Sequence, residues 1–102
     1  IQDAEFVEIP YDDDYNLPLE ELSAANGAVT FITSPHSPSG TVVSLDLLDK
    51  LATQLQGVLV IDEAYVDFAT ENALELVKKH DNVIILRTLS KGYSLAGIRL
   101  GF

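Results

Sequence analysis

The groups able to do chemistry in this chain cluster in residues 87–102, Arg87-Thr88-Leu89-Ser90-Lys91-Gly92-Tyr93-Ser94-Leu95-Ala96-Gly97-Ile98-Arg99-Leu100-Gly101-Phe102. This stretch holds several hydroxyls, three glycines and three of the chain's six basic residues (Arg87, Lys91, Arg99), with no acid among them. In a chain of net charge −10, cations gathered in one place point to a bound anion. Two other stretches also place polar groups directly after apolar runs: Asp62-Glu63-Ala64-Tyr65, and Ser34-Pro35-His36-Ser37-Pro38-Ser39-Gly40. Singly, each residue has a plainer role, since a lone lysine is solvated, a strand-end aspartate caps a helix and a lone tyrosine packs in a core. The elements that carry these residues decide whether they act together.

Four apolar runs read as strands. Val83–Leu86 sits between the turn former Asp81-Asn82 and polar Thr88, and reads as buried. Val58–Ile61 is too uniformly apolar to be exposed on either face. Val29–Thr33 is a third strand, and Glu5–Ile9 alternates with period two up to Pro10, as an edge or half-buried strand does. Helices are expected over Leu17–Asn26 (cap Asn16, stop Gly27), from Ser44 to Gly57 with Leu45, Leu48, Leu51 and Leu55 on one face, and from Thr70 to His80 with Leu74 and Val77 inward. His80, beside Lys78 and Lys79, reads as a solvated helix end. The pattern is β-α-β-α-β-α-β. Residues 34–57 and 63–82 are long enough for helical crossovers, so the last three strands should run parallel in an open α/β sheet. All three polar stretches then lie at strand carboxyl ends, where such sheets bind ligands.

Composition narrows the function. At 102 residues, 47% of them hydrophobic, the chain amounts to one globular domain at most. Having no cysteine, it has no disulfide scaffold and no Cys-based metal site, which fits a reducing compartment such as the cytoplasm. Its acidity argues against nucleic acid, and no apolar run approaches the ~20 residues of a membrane span. Eight acids and no Lys or Arg fall in the first 21 residues, and the Asp12-Asp13-Asp14 run reads as a solvated loop lacking the further ligands of a calcium site. The chain opens on Ile1 and stops on what reads as the first residues of a strand, so it is expected to be a piece of something longer.

Taken alone, Val58–Glu63 has the form of a Walker B strand, which demands a Gly-rich phosphate loop that no glycine here supplies. Taken together and in order, the three stretches resemble the fold type I pyridoxal-phosphate aminotransferases, most nearly their histidinol-phosphate branch. The likeness is good over residues 29–102 and loose over 1–28. Its most specific part is Thr88-x-Ser90-Lys91 with Arg99 eight residues on. The resemblance implies that Lys91 is the Schiff-base lysine and moves the proton between substrate and cofactor, and that Arg99 and a dry pocket keep its amine neutral. It implies that Asp62 pairs with the pyridine nitrogen and Tyr65 donates to the ring's phenolic oxygen. Ser90 and Arg99 bind the phosphate, assisted by Thr88.

One departure stands out. The family usually has Asn-Pro-Thr-Gly where this chain has Ser37-Pro38-Ser39-Gly40. Either Ser37 reaches the ring oxygen through water, or His36 substitutes, or the substrate or activity differs. The resemblance further implies that residues 1–102 are part of the large cofactor-binding domain. The rest of that domain, the small domain and a partner subunit of a homodimer would complete the site for an amino donor and a 2-oxo acid. A related decarboxylase of phosphorylated amino acids would use the same anchor. A third reading is a non-catalytic fragment, whose Val29–Thr33 edge, left without the strand that would precede Ile1, drives self-association.

Overall fold

A computed structural model describes residues 3–102. Its elements in order are α1 (Leu19–Ala25), β1 (Val29–Thr33), α2 (Leu45–Gln54), β2 (Val58–Asp62), a 3-10 turn (Val66–Phe68), α3 (Leu74–Lys79), β3 (Val83–Leu86) and a second 3-10 turn (Ala96–Ile98). The three strands form one parallel sheet in the order β1-β2-β3, with Phe31 beside Val60 and Val60 beside Ile84. The expected α/β open parallel sheet is present.

Strand alternation divides the sheet into two faces. Ile32, Leu59, Ile61 and Val83 share one face and form a single core with Leu22 of α1, Leu48, Leu51 and Ala52 of α2, and Leu76 of α3. Two successive crossovers of the same hand, moving in the same direction across a sheet, lay their helices on the same side. The opposite face therefore has no helical layer among the described residues. Val29, Phe31, Ile84 and Leu86 lie on it, 52%, 68%, 48% and 42% exposed.

Local chemistry fixes the element ends. Ser44 caps α2, its Oγ accepting from Leu47 N–H at 3.4 Å. Gly57 is required by close approach, because a Cβ there would overlap the carbonyls of Gly27 and Ala28. Asn82 locks the turn before β3 by donating its amide to the carbonyls of Ala52 (3.0 Å) and Gly57 (3.1 Å).

Several expectations are corrected. Glu5–Ile9 is not a strand, since an alternating segment without a paired neighbour has no ladder to join; Phe6 and Val7 are exposed and only Ile9 packs on the core. Asn16 does not cap α1; its backbone and side chain bond to Asp12, and Pro18 occupies the cap position. At the other end Asn26, not Gly27, takes the left-handed conformation (φ 43°). α3 begins at Leu74 rather than after Thr70, which turns Ala73 and Leu76 inward and leaves Leu74 and Val77 outside. β3 is buried only at Val83 and partly at Ile85. His80 ends α3 as expected, but its ring is not solvated: Nε2 lies 2.6 Å from Asp49 on α2 and the side chain is 13% exposed.

Candidate active site

Parallel pairing brings the exits of all three strands to one edge. Ser34 N–H donates to Asp62 O, and Glu63 N–H donates to Leu86 O at 2.9 Å, so the ladder runs one residue beyond β2 into the polar loops. Asp62 ends β2 half-buried, on the same side of the sheet as Val58 and Val60 by alternation, and its Oδ1 accepts from Ala64 N–H at 2.9 Å. That short turn lifts Tyr65 off the strand end.

The exit of β3 is a closed loop. Arg87 N–H and C=O pair with the carbonyl and N–H of Phe102 at 2.5 and 2.8 Å, and Thr88 bridges Gly101 in antiparallel sense. Gly101-Phe102 thus returns to the base of the loop, where the sequence suggested the start of a new strand. Within the loop Thr88 Oγ1 lies 3.0 Å from Ser90 Oγ and accepts from Ser90 N–H at 3.1 Å. Lys91 follows, exposed, with Nζ 5.1 Å from the centroid of the Tyr65 ring. Gly92 backs onto Asp67 so closely that no Cβ fits between them.

Asp62, Tyr65, Thr88, Ser90 and Lys91 therefore share one corner of the sheet edge. Arg99 is carried by the same loop but is exposed in a left-handed conformation (φ 57°), its Nη1 donating to Ala96 O at 3.3 Å. Ser37 lies exposed in the turn after β1. Its neighbour His36 is engaged elsewhere: Nδ1 is 2.7 Å from Ser39 Oγ, and the ring lies tilted against those of Tyr11 (4.9 Å) and Tyr15 (5.7 Å). Burial beside that ring pushes the Tyr11 phenol above its ordinary pKa.

Two residues to which the sequence reading gave no part in the cofactor site matter here. Glu63 is 2% exposed, and its Oε2 accepts from Arg87 Nε (2.9 Å) and Nη2 (2.7 Å). Arg87 is thereby neutralised from the neighbouring strand, so the expected three-cation cluster reduces to Lys91 and Arg99. The same pairing removes the Walker B reading, because a buried carboxylate held by arginine cannot polarise water. The only signal in the sequence was Arg87 itself, directly after an apolar strand.

The remaining donor set is a carboxylate at a strand end, a phenol, two adjacent hydroxyls, an amine and a guanidinium. It suits a phosphorylated aromatic aldehyde with a basic ring nitrogen, the chemistry of pyridoxal phosphate. Among the described residues no group of three or more His, Cys, Asp or Glu side chains could hold a metal ion. No helix there is long and apolar enough to cross a membrane.

Residues 1–102 match the family model described as aminotransferase class I and II, and the chain belongs to that family. It is 66% identical over 102 residues to a histidinol-phosphate aminotransferase of Trichormus variabilis, covering all of this chain and 29% of that protein. A histidinol-phosphate aminotransferase of Sinorhizobium meliloti, solved in complex with pyridoxal-5'-phosphate, superimposes with a TM-score of 0.80 at 36% identity, over 93% of this chain and 28% of that one. A decarboxylase from Sulfurospirillum multivorans gives 0.73 at 28%, over 87% and 29%. The chain spans under a third of the length of the curated relatives it matches.

Proposed function

We propose that this chain is the central part of the large, cofactor-binding domain of a pyridoxal-phosphate-dependent aminotransferase. The parent protein moves an amino group between histidinol phosphate and 2-oxoglutarate in histidine biosynthesis. The observation that carries the reading is the placement of the Lys91 amine 5.1 Å from the Tyr65 ring, across two adjoining strand exits. The whole-chain likeness to histidinol-phosphate aminotransferases supports the choice of substrate.

Pyridoxal phosphate, when bound, supplies an electron sink for the carbanion formed at the substrate Cα. Lys91 would hold the cofactor aldehyde through Nζ and, as a free amine, would accept the substrate proton and give it back. That duty requires a neutral amine. Lys91 is exposed in this chain, so the water-excluding walls come from the rest of the parent and from the partner subunit of a homodimer. Asp62 would hold the proton on the ring nitrogen, and Tyr65 would donate its phenolic O–H to the ring oxygen. Thr88 and Ser90 would offer paired hydroxyls to the phosphate, and Arg99, released from Ala96 O, would complete that grip. Ser37, exposed in the turn after β1, would reach the ring oxygen through water. The enzyme works in the cytoplasm, without metal, nucleic acid or membrane.

A second reading is decarboxylation of a phosphorylated amino acid; the likeness to the Sulfurospirillum decarboxylase supports the reaction type. The discriminating experiment gives the full-length parent histidinol phosphate and 2-oxoglutarate. Glutamate formation without release of carbon dioxide supports the aminotransferase. Carbon dioxide release from a phosphorylated amino acid, with no glutamate formed, supports the alternative.

A further inference from the structure

Segments 63–67 and 87–92 meet in three successive contacts. Glu63 takes the fork of Arg87, Tyr65 lies under Lys91 Nζ at 5.1 Å, and Asp67 backs onto Gly92. The first contact anchors the other two. Glu63 follows Asp62 directly, and its second oxygen, Oε1, accepts from Ala73 N–H at 2.5 Å, which fixes the start of α3. Arg87 forms the base of the closed loop through its two backbone bonds to Phe102. One ion pair therefore joins the strand end that carries Asp62 to the loop that carries Lys91. Two guanidinium donors, Nε and Nη2, converge on Oε2 while Ala73 N–H holds Oε1, so the pair sets orientation as well as distance. Lys91 has no side-chain hydrogen bond of its own among the described residues, and its amine sits on four rotatable bonds. Its reach is governed by where its backbone is held, and an error of ~1 Å in such a group can cost about 10²-fold in rate.

We propose that Glu63 and Arg87 are positioning residues, a brace that holds the Lys91 amine in register with Tyr65 and Asp62. The proposal rests on the cofactor reading above. The brace touches no reacting atom and acts through the loop. An ion pair that served stability alone would show its loss in folding and nowhere else. Asp49 with His80 supplies the comparison: it also ties two elements together, but at the opposite end of β3 from the lysine loop.

The test uses the full-length parent carrying Arg87→Lys, which keeps the charge and loses the fork. The probe is pyridoxal phosphate, read by the absorbance of the bound cofactor against pH. R87K should bind it about tenfold more weakly, and the midpoint of the absorbance change should rise by about half a unit or more, because a loosened loop admits water and water favours the charged, protonated form of the nitrogen that joins Lys91 to the cofactor. Amide exchange over residues 88–92, measured without cofactor, should quicken in R87K. Asp49→Asn should leave all three readouts at their wild-type values. If R87K does not fold, Glu63→Gln is read by the same exchange measurement. A folded variant with wild-type affinity, midpoint and exchange overturns the brace, as does a D49N protein showing the same changes. A wild-type parent that takes up no cofactor refutes the cofactor reading instead, and exchange over 88–92 still decides whether the brace holds the loop.

Discussion

Lys91 Nζ stands 5.1 Å from the centroid of the Tyr65 ring, although the two residues leave different strands. The sheet register makes this possible. Asp62 is paired with Leu86, so the loop three residues past the first and the loop five past the second emerge side by side. A cation over an aromatic face is held weakly, by ~0.5–1 kcal/mol at an exposed site. Such a contact keeps the amine near the ring while leaving it free to move when a ligand enters.

Asp62→Asn tests the ring-nitrogen role. Asparagine keeps an oxygen for Ala64 N–H, so the turn into Tyr65 should survive. The lost charge should lower transamination by the parent by about 10³-fold, a barrier increase of ~4 kcal/mol, while cofactor still binds. Single-turnover kinetics at wild-type speed would remove Asp62 from the mechanism.

The Asp49 clamp predicts a pH dependence. Hydrogen bonds from His80 and then Lys79 hold the Asp49 carboxyl below its ordinary value of 3.8. A depressed carboxylate contributes stability that is present above its unfolded pKa and is lost as pH falls through the folded one. The parent should therefore melt above D49N at pH 6, and the gap should close as the pH drops below about 4. A gap that persists unchanged at pH 2.5 would show that the clamp contributes nothing through charge.

Much of the fold was legible because the parallel strands are nearly continuous apolar runs, although one face of the sheet has no helical layer among the described residues. Val29–Thr33 and Val83–Leu86 have the bounds read from sequence, and β2 differs only by including Asp62. What was not legible depended on partners distant in the chain. α3 starts late because Ala73 N–H is engaged by Glu63, ten residues earlier, and this rotates the helix by one position. Glu5–Ile9 shows the alternation of a strand, but alternation describes a face and not a pairing edge. At the site, Lys91 and Tyr65 were singled out by the order of the three polar stretches, and the sheet register sets them side by side. Arg99 turning back on Ala96, and Arg87 being spent on Glu63, are matters of side-chain direction that no spacing encodes.

Produced alone, the 102-residue chain should self-associate and bind pyridoxal phosphate weakly or not at all. Among the described residues β1 has β2 on one side and no strand on the other, and Phe31 is 68% exposed on the face without helices. Backbone groups buried without partners cost ~1–3 kcal/mol each, which is large against a domain stability of ~5–15 kcal/mol. Pairing with a second copy relieves both defects. Sedimentation at low concentration and a cofactor titration read this directly; a monomer that binds cofactor tightly would show that the segment needs neither its missing neighbours nor a second copy.

The central claim is that Lys91 is the residue joined to the cofactor. It is tested most directly by incubating the full-length parent with pyridoxal phosphate, reducing with borohydride, digesting and sequencing the labelled peptide. The expected result is one pyridoxyl group on Lys91, and none when Lys91 is replaced by alanine. A label on Lys50, Lys78 or Lys79 with Lys91 unmodified would contradict the account.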